Sequence, residues 1–206
     1  ELQEAVKRCH AVGKRFYLTM NALPQDEEWE DFLEAAHFAA ASGVDAVIVS
    51  DLGAILAIRR ELPALPVHVS TQANTVNSET AAHYAALGCR RVILARELSL
   101  KQISILCSRA GELELETFVH GASCVAYSGR CLLSAALTGR SGNRGACAQP
   151  CRWQYAVQEA KRPGEYLPVS EDSRGTYLFS ARDLNLMPLL PELCATGVRS
   201  LKIEGR

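Results

Sequence analysis

EEWEDFLEAAHFAAASGVDAVIVSDL, residues 27–52, is the stretch on which the fold turns. Its first half carries a helical pattern that runs from Glu27 to Ala41 and stops at Gly43, where a helix end needs a left-handed residue. DAVIVS (45–50) follows at once and is nearly continuous in β-branched apolar residues, as in a strand covered on both faces. Asp51 then either caps a new helix beginning at Leu52 or lines a pocket at the strand's end. Working outward, the same punctuation recurs. Helical patterns over 1–11, 78–87 and 190–195 stop at Gly13, Gly88 and Gly197. RFYLTM (15–20), VHVST (67–71), RVILA (91–95), ELETFVH (114–120) and SLKIEG (200–205) complete a set of strands whose starts lie roughly 21 to 30 residues apart as far as His120. These repeated βα units predict an α/β fold with a parallel sheet, a TIM-barrel-like (β/α)8 domain.

Six such strands are visible where a closed barrel needs eight. The chain also opens on an amphipathic helix without a methionine and closes directly after a strand. The expectation is therefore a barrel truncated at the N-terminus, divided into a partial barrel (1–120), a cysteine-rich insertion with a hairpin after the penultimate strand (121–180), and the last helix and strand (181–206). The open sheet edges would make it aggregate or pair with another chain. The chain's 206 residues suffice for a sizeable core, and 48% apolar with 22% charged residues and a net charge of −1 is the balance of a globular protein, not a disordered one. No apolar run reaches the roughly 18 residues a spanning helix needs, and no basic-then-apolar leader opens the chain, so a cytoplasmic location and no membrane partner are expected.

Eight cysteines are the odd entry in the composition. Cys9, Cys89, Cys107 and Cys194 are scattered singly and read as small core residues. Cys124, Cys131, Cys147 and Cys151 are grouped as C-x6-C-x15-C-x3-C among many glycines. Four convergent sulfurs suit a 4Fe–4S cluster or a structural zinc, and two disulfides or unliganded thiols are the remaining alternative. The absence of a C-x2-C knuckle favours the cluster over zinc. Residues 121–152 contain Arg130, Arg140, Arg144 and Arg152 and no Asp or Glu. Such a loop would stabilise a dianionic cluster and could grip phosphate groups, or it is a solvated basic loop.

FVHGASC (118–124), SGRCLLS (128–134), GAC (145–147) and SLKIEGR (200–206) resemble the signature stretches of peptidase family U32, the collagenase-like proteases. The pattern is met at Glu116, Phe118, Gly121, Ala122, Cys124, Gly129, Cys131, Leu133 and Ser134, and departs at Ser123, where an aliphatic residue is usual. The resemblance implies a TIM-barrel-like domain. GACAQPCRW (145–153) is similar to the branch that hydroxylates a tRNA or rRNA base, in some members with prephenate as co-substrate, and in which four cysteines hold a 4Fe–4S cluster. That makes Cys151 the fourth ligand and RNA the expected partner, with a peptide substrate for a collagenase-like peptidase as the alternative. A non-catalytic module stapled by metal is the third reading.

The residues themselves offer a peptidase little. HExxH and G-x-S-x-G are both missing. His120, at a strand's C-terminal end, is the one histidine in a catalytic position, and beside Cys124 or Cys131 it could form a thiolate–imidazolium pair that a cluster would preclude. Asn21 and Gln72 sit at strand ends where a substrate pocket would lie, with Asp51, Glu97 and Arg206 as further candidates. Lys202 and Glu204 share one face of the last strand, which makes them either a catalytic pair inside the barrel or a structural ion pair.

Overall fold

The computed structural model describes residues 1–124, 126–153, 156–158, 160–164, 166–168 and 183–205. Five βα steps build its first part: α1 (Leu2–Ala11), β1 (Tyr17–Thr19), α2 (Trp29–Ala41), β2 (Ala46–Val49), α3 (Leu52–Glu61), β3 (Val67–Val69), α4 (Ser78–Ala86), β4 (Arg91–Ile93), α5 (Leu100–Arg109) and β5 (Glu114–Gly121). A short α6 (Leu133–Thr138) lies in the cysteine-rich segment, followed by an antiparallel hairpin of β6 (Ala156–Gln158) and β7 (Tyr166–Pro168). Last come β8 (Leu184–Asn185), α7 (Leu190–Ala195) and β9 (Ser200–Glu204).

Strands β1 to β5 pair in order, all parallel, and β9 adds in parallel to β5. The six strands expected from sequence are therefore all present. The short β8 is an addition: it runs antiparallel to the end of β5, pairing His120 with Asn185 and Gly121 with Leu184. Two residues bounded by a turn carry no periodic signal, which is why it is illegible in sequence. Among the described residues the sheet does not close, and β1 and β9 remain at its two edges.

Alternation sorts each strand between two environments. Val47, Val49, Val67, Val69, Val92 and Leu115 face the helices with Ile55, Ile58 and Leu106 in one large core, and burying each such side chain contributes roughly 1.5 to 3 kcal/mol. The opposite, concave face is partly polar. Ile48, Ile93 and Phe118 form a small cluster there, beside buried His68, Arg91 and Glu116. Strands β1 and β4 are three positions apart, about 14 Å in a flat sheet. Yet the Arg91 guanidinium lies 5.4 Å from the centre of the Tyr17 ring, and Tyr17 meets His68 edge-on at 4.7 Å, so the sheet curls toward this face.

Helix ends follow the sequence signals. Gly13, Gly43, Gly88 and Gly197 all have positive φ, and Asp51 caps α3 by accepting the Ala54 N–H at 2.8 Å, which settles its role as a cap. Of the scattered cysteines, Cys89 lies in the core and Cys107 packs against it as expected, whereas Cys9 and Cys194 do not join it. Only Cys89 is buried, where its thiol is pushed up to about 11 by burial, while Cys9 and Cys107 are half-buried and Cys194 is exposed. Core membership of a single cysteine depends on helix rotation against the sheet, which the sequence around an isolated residue does not fix.

Candidate functional site

All parallel strands deliver their C-terminal ends to one rim, and the loops that leave it enclose a cavity of about 160 Å³. Asn21 follows β1, Thr71 and Gln72 follow β3, Arg96 follows β4, Cys124 follows β5, and Glu204 ends β9. Cys131, Cys147 and Cys151 also line it, so the four grouped cysteines converge on one space with polar residues of the strand ends.

Backbone geometry brings them there. Gly121 has φ +108, and a Cβ at this position would overlap the Glu204 carbonyl, so glycine alone lets β5 lie against β9 where the chain turns into the cysteine segment. The register between these strands shifts at Phe118–His120, a bulge of the kind found beside sites. Beyond it, Ser128 is fully buried with φ +50, unusual for a residue with a Cβ. The Glu97 carboxylate accepts the Ser128 N–H at 2.7 Å, and the Ser128 hydroxyl donates to Asn74 Oδ1 at 2.7 Å. This latch ties the Cys124–Cys131 loop to the ends of β3 and β4. Fully buried Ser134 does the same for the second half, its hydroxyl accepting the Ala148 N–H at 2.9 Å.

Around the sulfurs, the Leu133 N–H donates to Cys131 Sγ and the Gln149 N–H to Cys147 Sγ, each at 3.3 Å. Such N–H to sulfur bonds are a recurrent support of thiolate ligands. Among the described residues no disulfide joins Cys124, Cys131 and Cys147. Among the described residues no three His, Cys, Asp or Glu side chains approach closely enough to hold a single metal ion; the cysteines instead surround a shared space.

The floor of the cavity is charged. Arg96 forms an ion pair with Glu204 and lies 4.3 Å over the Phe118 ring, and its Nε has no hydrogen-bond partner among the described residues. Below it Lys202 Nζ stands 3.8 Å from Glu116 and 5.7 Å from the same ring. Lys202 and Glu204 thus share the concave face, as their alternation implied, but each pairs with a different strand and not with the other. Asn21 Nδ2 donates to Gln72 Oε1, joining those two strand-end candidates.

Other predicted residues fall elsewhere. His120 is exposed and is not among the lining residues, because the bulge after Phe118 changes its phase along β5. Arg144 forms an ion pair with Glu28, and Arg152 pairs with Asp183 at 3.0 Å. Arg130 Nε donates to the Gln72 carbonyl at 2.8 Å and Arg140 Nε to the Ala146 carbonyl at 3.1 Å. Arg206 lies outside the described residues. Sequence reasoning missed Arg96, Asn74 and the part played by Ser128 and Ser134. Arg96 directly follows a strand, which was a usable signal; the serines matter through long-range contacts no local pattern encodes.

The sequence profile of peptidase family U32 matches residues 1–206. The chain belongs to peptidase family U32. Among U32 relatives, the chain is 38% identical over 244 residues to the tRNA hydroxylation protein P of Escherichia coli K12, covering all of this chain and 54% of that protein. It is 36% identical over 206 residues to the 23S rRNA 5-hydroxycytidine C2501 synthase of the same organism, covering all of this chain and 30% of that one. The chain therefore spans about half the length, or less, of these curated relatives. A solved structure of a U32 peptidase matches with a TM-score of 0.57 at 19% identity, covering 100% of this chain and 76% of that one, a likeness of fold. Among the described residues no helix is long and apolar enough to cross a membrane.

Proposed function

We propose that this U32 chain carries the cluster-binding and catalytic part of an enzyme that hydroxylates a base of tRNA or rRNA. The observation that carries the reading is the convergence of Cys124, Cys131, Cys147 and Cys151 on one cavity at the C-terminal ends of the parallel strands. Relatives named for tRNA and rRNA hydroxylation align over all of this chain, cysteines included in the matched span. The donor set fits a 4Fe–4S cluster: four sulfurs, N–H donors to two of them, a loop (121–152) with arginines and no carboxylate, and a lining carboxylate, Glu204, that is paired with Arg96. The absence of a C-x2-C knuckle favours a cluster over zinc.

In this reading the four cysteines hold the cluster, which supplies one-electron chemistry when bound. Asn21 and Gln72, already hydrogen-bonded to each other, present amide edges suited to reading a base inserted into the cavity. The Arg96–Glu204 pair fixes the cavity floor and orients the carboxylate. Lys202, paired with Glu116 and set against the Phe118 ring that Arg96 also covers, supports the floor from below. Prephenate is the organic co-substrate that this reading expects. For the collagenase-like alternative a thiolate–imidazolium pair is required, and His120 is not among the residues around the cysteines.

Anaerobic purification followed by iron and acid-labile sulfide determination tests the cofactor, with about four of each per chain expected. A colourless protein with stoichiometric zinc would refute it. Mass spectrometry of cellular tRNA and rRNA from a strain whose only copy carries Cys147→Ser or Cys151→Ser should show loss of one hydroxylated nucleoside. An unchanged nucleoside profile would overturn the reaction assigned.

A further inference from the structure

The four arginines of the cysteine segment are not equivalent. Arg144 and Arg152 each commit a terminal nitrogen, Nη2, to a carboxylate, of Glu28 and of Asp183. Arg130 and Arg140 are different: each anchors its Nε on a backbone carbonyl, of Gln72 and of Ala146, and among the described residues neither has a partner for its two terminal nitrogens. An arginine held this way is a preoriented fork whose outer edge matches the two oxygens of a phosphate. Both forks are attached beside the cavity. Gln72 lines it and Ala146 precedes Cys147, which lines it from the opposite segment.

Two aromatic rings accompany them. Tyr127 is 55% exposed, and its carbonyl accepts the Arg130 N–H at 3.0 Å, so ring and fork issue from one turn. Trp153 is 46% exposed, and its N–H donates at 3.0 Å to the carbonyl of Pro150, another lining residue. A large ring left in water on a segment with four arginines and no carboxylate needs an occupant that offers flat apolar faces and negative charge together. Unpaired nucleotides offer both, whereas a duplex hides its base faces in the stack.

We infer that Tyr127, Arg130, Arg140 and Trp153 form the docking surface for a single-stranded RNA loop, with bases stacked on the rings and phosphates on the two forks. The inference rests on the RNA-hydroxylation reading and assigns its substrate surface. It places Arg144 and Arg152 in the folding of the segment and not in RNA contact.

The test is fluorescence anisotropy of the whole protein with a labelled RNA stem-loop, titrated with salt, against a fully paired RNA of equal length. Arg130→Ala and Arg140→Ala should each weaken stem-loop binding several-fold and lower the slope of log K against log salt by about 0.7. Tyr127→Leu should weaken it roughly tenfold with the slope unchanged. Arg130→Lys should keep the slope but bind more weakly, and Arg8→Ala, a distant exposed arginine, should bind as wild type. Equal losses for Arg8→Ala and Arg130→Ala, equal binding of duplex and stem-loop, or no effect of Tyr127→Leu would each overturn the surface. If the variants bind RNA normally while cells still hydroxylate it, the surface is wrong and the function stands. If the cluster-loaded protein ignores RNA but binds peptides, both fall.

Discussion

Replacing Gly121 with alanine should separate β5 from β9 and so dismantle the rim of the cavity. Three contributions can be read from the structure. A Cβ at φ +108 costs about 1 to 3 kcal/mol in backbone strain. Relieving its overlap with the Glu204 carbonyl requires β9 to move, which costs about another 1 to 3 kcal/mol as overpacking does. The hydrogen bond from the Ala122 N–H to the Glu204 carbonyl, 3.3 Å long, is lost with it at about 1 kcal/mol. The total is about 3 to 7 kcal/mol, a large part of the 5 to 15 kcal/mol that holds a domain folded. For a chain of this size that corresponds to a fall in Tm of at least about 6 °C. Gly111→Ala is the internal control. It also has positive φ, but a Cβ there meets nothing within 4 Å, so only the backbone strain applies. Thermal unfolding of both variants followed by circular dichroism isolates the clash. If the two melt within about 2 °C of each other, the close approach of β9 to Gly121 is not what the position requires.

Three further outcomes are expected. Burial, with the nearby Arg91 charge, lowers the His68 pKa from 6.5 to about 4, so between those values the unfolded chain binds the extra proton; stability present above pH 6.5 should fall on acidification by up to roughly 3 kcal/mol. Urea unfolding of wild type and His68→Gln across that range should diverge below pH 6.5 only, and parallel curves would refute it. Buried Arg91 is held by Glu114 at 2.6 Å and Glu116 at 2.9 Å, so Arg91→Leu leaves buried Glu116 with only the Ser200 hydroxyl and Lys202 at 3.8 Å and should cost about 3 to 5 kcal/mol, against less than about 1 kcal/mol for Arg8→Ala in an exposed pair. Asp51→Ala removes the α3 cap and should cost about 1 kcal/mol, read as a fall in Tm of about 2 to 4 °C.

Local sequence determined much of this protein. The Gly-terminated helices, the six parallel strands and the hairpin follow from periodicity and turn chemistry, both of which act over a few residues. The family was legible in FVHGASC and SGRCLLS, and the grouping of four cysteines marked the segment that lines the cavity. Only the tertiary structure decided which residues share the cavity and what each does there. Arg96 meets Glu204 across 108 positions of sequence, Ser128 reaches Glu97 and Asn74, and Arg144 finds Glu28, because the sheet curls and returns distant strand ends to one rim. The same curvature, with a bulge before His120, leaves that histidine outside the cavity lining, and it gives Arg144 and Arg152 carboxylate partners while Arg130 and Arg140 bond backbone carbonyls. Spacing along a chain fixes which face a side chain takes, but its partner is fixed by the path of every strand between them, and that is a property of the whole sheet.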